Sequence, residues 1–298
     1  MKQLLSLNRL SFELHIKREV LEHVANNKAK FYRPYIKPEK KRDGSTKERR
    51  IDNPSRAIRQ IQKRINRIIL RPECSNLPDC MTGSIPGRSI KDNAKPHVGS
   101  EAILSVDIAN CFPSITSSMV YEIFRIRLGC SPAVAKILTK LTTYGDRIPQ
   151  GAPTSPSLCN LVMEPLVIEL QQLCLKNKVT FTQYVDDLTF SGKQETLLSL
   201  KPKVTKLVEK HGFKVNVRKL KLATQSERME ITGLVVNKFI SVGRKYIRRV
   251  ERDILDGNSN IKIKGKISHI HSISKSKARF LSRKLSRAKG KQSLEDNE

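Results

Sequence analysis

The stretch Phe181-Thr182-Gln183-Tyr184-Val185-Asp186-Asp187-Leu188-Thr189-Phe190 decides how the rest of the chain is read. Apolar and β-branched residues flank two adjacent acids, a pattern that predicts strand, tight turn and strand with both carboxylates at the bend. A hairpin tip holds side chains firmly while leaving them open to a cleft, which suits metal ligands. Aspartate is also an ordinary turn residue, because its side chain bonds to nearby backbone. A solvated turn is therefore the competing reading, and the remaining sequence has to choose.

The chain has 298 residues, enough for a core divided into two or three subdomains. Hydrophobic residues make up 38% and recur in runs from Leu4 to Leu285, which excludes a disordered chain. No apolar run reaches the roughly 18 residues of a membrane span. Met1 to Leu10 lacks the apolar core and small-residue cleavage site of a secretory signal. Cys74, Cys80, Cys111, Cys130, Cys159 and Cys174 form no CxxC pair and are expected as reduced, buried thiols of a cytoplasmic protein.

Charge is the loudest bulk signal: 57 Lys and Arg against 28 Asp and Glu leave a net +29. Such an excess favours a polyanionic partner, most simply nucleic acid. Residues 237–298 hold 17 basic and 6 acidic side chains, the densest positive segment of the chain. A membrane surface is the competing polyanion, but aromatic content is 5% with no Trp, so no membrane partner is expected.

Along the chain, residues 1–30 read as an amphipathic helix with Leu10, Leu14, Val20, Leu21 and Val24 as its stripe. Asp43-Gly44 between two β-prone runs is a hairpin signal. Pro54 and Ser55 open a helix with Ile58, Ile61, Ile65, Ile68 and Ile69 on one face. Its basic residues are either a solvated face or the wall of a nucleic-acid groove. Ala102 to Ile108 is a buried strand carrying Asp107, and Ser117 to Leu128 and a segment opened by Ser131-Pro132 are helices. Thr154 to Leu175 is a long helix interrupted by Pro165. After the acidic hairpin come a helix from Leu197 to Lys210, then strands at Val215–Val217, Ile231–Val236 and Phe239–Val242, and a basic helical tail. Strand, helix, hairpin, helix, strand is the ferredoxin-like order, an α+β fold.

In such a sheet the first strand and the hairpin are central neighbours, so Asp107 converges on Asp186 and Asp187. Converging carboxylates repel one another unless cations neutralise them, and Mg²⁺ is the hard, oxygen-loving candidate. Two ions roughly 3.5–4 Å apart activate a hydroxyl and stabilise a leaving pyrophosphate. Phe112, five residues after Asp107, is either a core ring or a platform that excludes a sugar 2′-OH. Pro149-Gln150-Gly151-Ala152-Pro153 is a rigid turn feeding a helix N-terminus, where backbone approaches an anionic substrate closely.

The combination resembles reverse transcriptases, and more narrowly those of bacterial retrons, over about Lys47 to Val242. Arg49-Arg50-Ile51-Asp52-Asn53-Pro54 is similar to the family's first fingers block, and Tyr184-Val185-Asp186-Asp187 to its polymerase hairpin. Gly212-Phe213 through Asn216 to Lys219 resembles the block whose Lys meets the triphosphate. Asn93-Ala94-Lys95-Pro96-His97 reproduces the retron NAxxH pattern, and Ile231-Thr232-Gly233 resembles the retron VTG block. Thr82-Gly83-Ser84 departs from the usual Gly-Phe, removing an aromatic from the template-side fingers.

The resemblance implies a right-hand polymerase: an N-terminal helix and fingers over 1–100, a ferredoxin-like palm over 101–236, and a helical basic thumb over 237–298. It implies catalysis by Asp107, Asp186 and Asp187, with the Ile108 backbone carbonyl as a fourth ligand to two Mg²⁺ ions. Nucleotide binding falls to Lys47, Arg49, Phe112, Gln150, Gly151 and Lys219. RNA binding falls to Asn93, Ala94, His97, Ile231, Thr232 and Gly233, and in the thumb to Arg248, Arg249, Arg252, Arg279, Arg283 and Lys284. The implied partners are dNTPs, a cognate structured non-coding RNA and its DNA product. Priming from an internal guanosine 2′-OH, an antiphage role with a separate effector protein, and host RNase H to remove template complete the expectation. The alternatives are another bacterial reverse transcriptase, of intron or stand-alone defence type, and a catalytically silent RNA-binding scaffold.

Overall fold

Two β-prone runs bracket the basic segment after residue 30, and they pair. β1 (Tyr32–Lys40) and β2 (Thr46–Pro54) form an antiparallel hairpin with Tyr32 opposite Pro54. The computed structural model describes residues 4–40, 46–256 and 260–295; the Asp43-Gly44 turn and the side chain of Lys47 fall outside what is described. Behind the hairpin, helix Arg56–Ile65 buries Ile58, Ile61, Gln62 and Ile65, the face its isoleucine spacing predicts.

The central sheet consists of β3 (Ala102–Asp107), β4 (Thr180–Tyr184), β5 (Asp187–Gly192) and β6 (Lys221–Thr224). Its order is β4-β5-β3-β6 with every pairing antiparallel, the ferredoxin-like arrangement. Side chains alternate across each strand, so the sheet has two unlike faces. Leu104, Val106, Leu188 and Phe190 enter the main core with the connecting helices Ser155–Lys176 and Gln194–Lys210. Thr182, Thr189 and Ser191, on the alternate positions, are buried as well.

Buried hydroxyls need partners, and the segment around His97 supplies them to Thr182 and Ser191. His97 Nδ1 lies 2.7 Å from Ser191 Oγ and Nε2 lies 2.8 Å from Thr182 Oγ1. Thr182 donates its hydrogen to the Asn93 carbonyl, so Nε2 is the imidazole donor and Nδ1 accepts from Ser191. This corrects the sequence reading: Asn93, Ala94 and His97, expected to touch RNA, are fully buried and contact protein. Ile231 is buried too, in a small cluster with Ala94, Ile103, Met229 and Leu234.

Other elements differ from expectation for local reasons. The first helix is two, Leu7–Leu14 and Arg18–Asn26, broken where His15 takes φ 50, and this turns Val20 outward. Helix Ser155–Lys176 continues past Pro165; one lost N–H is outweighed by burial of Leu161, Met163, Leu166, Val167 and Leu170 around it. That helix is long and apolar enough to cross a membrane, and half of the stretch is buried inside the protein. Val215–Val217 is no strand: Val217 is exposed, and the edge of the sheet is Lys221–Thr224. Ile231–Val236 folds back on itself as β7 (Glu230–Ile231) and β8 (Leu234–Val235), and β9 (Ser241–Val242) joins them. Both loop residues of the β7–β8 turn, Thr232 and Gly233, have positive φ, the signature of a type I′ hairpin.

Helices Arg244–Leu255, Asn260–Ile273 and Lys275–Glu295 form a second core around Val250, Ile254, Ile267, Ile270 and Leu281. Arg248, Arg249, Arg252, Arg279, Arg283 and Lys284 are exposed around it.

Burial pushes the His97 imidazole down to about 4 from 6.5. Between those values the unfolded chain binds the proton and the fold refuses it, so stability falls as pH drops through that window, by at most about 3 kcal/mol from this group. Thermal melts from pH 7.5 to 4.5 should show the decline, and His97→Gln should flatten it; an unchanged slope would remove the imidazole as its source.

Candidate active site

β3 ends and β5 begins at facing acids, with Asp107 the register partner of Asp187. Tyr184 pairs with Asp187 across a two-residue loop, Val185-Asp186. Val185 carries φ 57, a left-handed value that glycine usually supplies and that a β-branched residue adopts at about 1–3 kcal/mol. Local bonds hold the turn: Gln183 Nε2 donates to the Val185 carbonyl at 2.5 Å, and the Ile108 N–H donates to the Asp186 carbonyl at 3.1 Å.

Residues 80–83 lie along the outer edge of β4. The Gln183 N–H donates to the Cys80 carbonyl at 2.7 Å, and the Thr82 N–H donates to the Gln183 carbonyl at 2.8 Å. A Cβ on Gly83 would sit 2.5 Å from the Val185 nitrogen, so only glycine lets this segment close against the turn. The Thr82-Gly83-Ser84 departure, expected on the template side of the fingers, is thus backing for the acidic hairpin.

In front of the acids opens a cleft of about 1130 Å³. Lys219 Nζ lies 2.5 Å from Asp107 Oδ1, and Asn216 Nδ2 donates to Oδ2 at 3.1 Å. The Asn216 N–H also donates to the Asp107 carbonyl, and the Ala109 N–H to the Lys214 carbonyl. Those two ladder bonds bypass the carbonyl of Ile108, a cleft-lining residue. Phe112 is half-buried, packed on the core and facing the same cleft. Gln150 and Gly151 form the opposite rim, where the Asp52 N–H donates to the Gln150 carbonyl at 2.9 Å. Gly151 has φ 113, and a Cβ there would come within 3.2 Å of Ile51 Cγ2. The β1–β2 hairpin is therefore stitched to this turn, bringing Arg49, Arg50 and Arg59 to the cleft wall.

Sequence reasoning missed two residues here. Asp52 is 1% exposed, 3.0 Å from Arg50 Nε and 3.7 Å from Arg147 Nη2, and it anchors both guanidiniums beside the cleft. Asp52 stood within the quoted fingers block and its burial was the missing signal; nothing in the sequence marks Arg147. The thumb candidates Arg248, Arg249, Arg252, Arg279, Arg283 and Lys284 do not line this cleft, nor do Thr232 and Gly233, which form a separate turn with Gly233 exposed.

Electrostatics single out the acids. Burial first, then the charge of Asp107, raises the Asp186 pKa, while Lys219 and Arg49 hold it back. Asp187 faces the open cleft, yet withdrawal from bulk water and the charges of Asp186 and Asp107 push its carboxyl up to about 6. Among the described residues no three carboxylate, imidazole or thiol side chains form a ready-made metal cage. Mg²⁺ does not need one, since it binds through a carboxylate or two, water and substrate phosphate. An all-oxygen donor set short of positive charge, with an ammonium already on Asp107, fits a divalent cation.

A raised carboxylate pKa means the fold binds the proton more tightly than the unfolded chain, so ionised Asp187 destabilises the metal-free protein above about pH 6. Asp187→Asn should accordingly melt higher than wild type in chelator at pH 7.5, with the gain shrinking by pH 4.5. A lower melting temperature at pH 7.5 would make the carboxylate a structural anchor.

A family model described as reverse transcriptase (RNA-dependent DNA polymerase) matches residues 38–236. The retron Mx65 reverse transcriptase of Myxococcus xanthus is 32% identical over 257 residues, covering 79% of this chain and 58% of that protein. The retron Ec86 reverse transcriptase of Escherichia coli is 32% identical over 256 residues, covering 83% of this chain and 79% of that protein. Among solved structures, telomerase from Candida albicans, in complex with a fragment of telomeric RNA, superposes on 90% of this chain and 59% of its own with a TM-score of 0.54. At 13% identity that likeness speaks for the fold alone, a right-hand polymerase. With the aspartate hairpin and its facing strand already in place, these matches leave one assignment: the chain belongs to the RNA-dependent DNA polymerases, among the bacterial retron reverse transcriptases.

Proposed function

We propose that this chain is the polymerase of a retron, copying part of a cognate structured non-coding RNA into DNA that stays joined to it. The observation that carries the reading is the gathering of Asp107, Asp186 and Asp187 opposite a wall of arginines in one cleft. Asp107, the Ile108 carbonyl, Asp186 and Asp187 are the groups to hold two Mg²⁺ ions, which when bound supply an activated hydroxyl and a neutralised pyrophosphate.

The chain's own residues do the rest by position and charge. Arg49, with Lys47 on the same strand, meets the triphosphate of an incoming dNTP, and Arg50 and Arg147 stay fixed by Asp52. Lys219 exchanges its carboxylate for phosphate once substrate arrives. The Gln150-Gly151 backbone approaches the nucleotide, and Phe112 lies under the sugar, where a 2′-OH would clash. The exposed arginines of the C-terminal helices grip an RNA stem by its phosphates, and the Thr232-Gly233 turn is a further contact. Affinity for that RNA falls steeply with salt.

The proposal extends to priming from the 2′-OH of an internal guanosine, host RNase H for template removal, and cytoplasmic antiphage service with a separate effector protein. Expression with the flanking non-coding DNA tests the reading. Purified nucleic acid on a denaturing gel should show a discrete small DNA that shortens with RNase and is missing from Asp107→Asn. Extension of an ordinary primed template without that product would make the chain a reverse transcriptase of another kind.

A further inference from the structure

The NAxxH and VTG blocks meet behind the acidic hairpin. Asn93 Oδ1 accepts from Thr82 Oγ1 at 2.9 Å, and Asn93 Nδ2 reaches Thr232 Oγ1 at 3.5 Å. Asn93 is fully buried and Thr82 is 2% exposed, so water does not compete for the bond between them, while Thr232 is half-buried. The Thr82 hydroxyl has one hydrogen shared between two acceptors, the second being the Gln183 carbonyl 2.9 Å away, which its own backbone N–H already reaches. Gln183 then holds the Val185 carbonyl through Nε2. A continuous run of polar contacts therefore links the Thr232-Gly233 turn to the strained residue that precedes Asp186.

Packing alone does not call for this chemistry. Valine has the volume of threonine and would fill the space at position 82 without the two contacts. The backbone rung from residue 82 to Gln183 would survive such a change; the link onward to Asn93 would not.

We propose that Thr82 and Asn93 are positioning residues for the Val185-Asp186 turn, and that they couple it to the Thr232-Gly233 turn as one internal brace. The inference rests on the polymerase reading above, since the aim of Asp186 and Asp187 matters only if they act on substrate.

The test is extension of a DNA primer on an RNA template by full-length wild type, Thr82→Val, Thr82→Ser, Thr232→Val and the Thr82→Val/Thr232→Val double variant. Melting and primer-template affinity are measured on each. Thr82→Val should lower kcat about tenfold, leaving the dNTP KM and template affinity within twofold, and Thr82→Ser should recover most of the loss. Thr232→Val should lower kcat less and add little in the Thr82→Val background, because residues on one path are not additive. If Thr82→Val is unstable, Asn93→Ala reports from the other side of the brace. Full kcat in folded Thr82→Val, no recovery with serine, or strictly additive losses would overturn the proposal. A wild type that extends no primer would overturn the polymerase reading, and this inference with it.

Discussion

Asp107, Asp186 and Asp187 repel one another, and withdrawal from bulk water adds to the cost of ionising the last two, although Asp187 faces the open cleft. They stay together because they are fixed by backbone: one at the end of β3, one at the start of β5, one in the loop between β4 and β5. Their charge is partly answered by Lys219 and Arg49, which pull the Asp186 pKa back down. The uncompensated acids make their side of the cleft a place for cations, and the arginine wall facing them makes it a place for phosphates. Stability is given up at this point for function, and the surrounding structure makes up the difference.

The support comes from behind. Residues 80–83 add backbone bonds to the edge of β4, Gly83 closes on Val185, and the hydroxyl-lined face of the sheet is sealed by His97. The front of the hairpin remains open, walled by the β1–β2 hairpin and by the loop carrying Asn216 and Lys219. A rigid back and an open front suit a site that must place charge accurately and still admit a large substrate. The C-terminal helices keep a core of their own and leave Arg248, Arg249, Arg252, Arg279, Arg283 and Lys284 exposed, so they present charge without building the cleft.

The acidic hairpin, its partner Asp107 and the sheet order could be read from the chain because alternation and turn chemistry act over a few residues. Long-range burial could not. His97 looked like a surface mark, and its neutral, enclosed state depends on Thr182 and Ser191, 85 and 94 positions away. Asp52 was hidden for the same reason, since its arginine partners meet only once β2 lies on the turn at Gln150. Val215–Val217 failed the other way: β-branched residues suggested a strand, but the ladder on β3 falls at Lys221–Thr224 and leaves Val217 exposed. Local propensity yields wherever the sheet already has its neighbour.

The most direct measurement is single-turnover addition of one nucleotide to a DNA primer on an RNA template in Mg²⁺, comparing wild type with Asp186→Asn. The account expects the rate to fall by at least about a hundredfold while primer-template affinity holds within twofold, because one charge at the reacting centre is removed and nothing else. Equal rates in the two proteins would contradict it and place the chemistry elsewhere in the molecule.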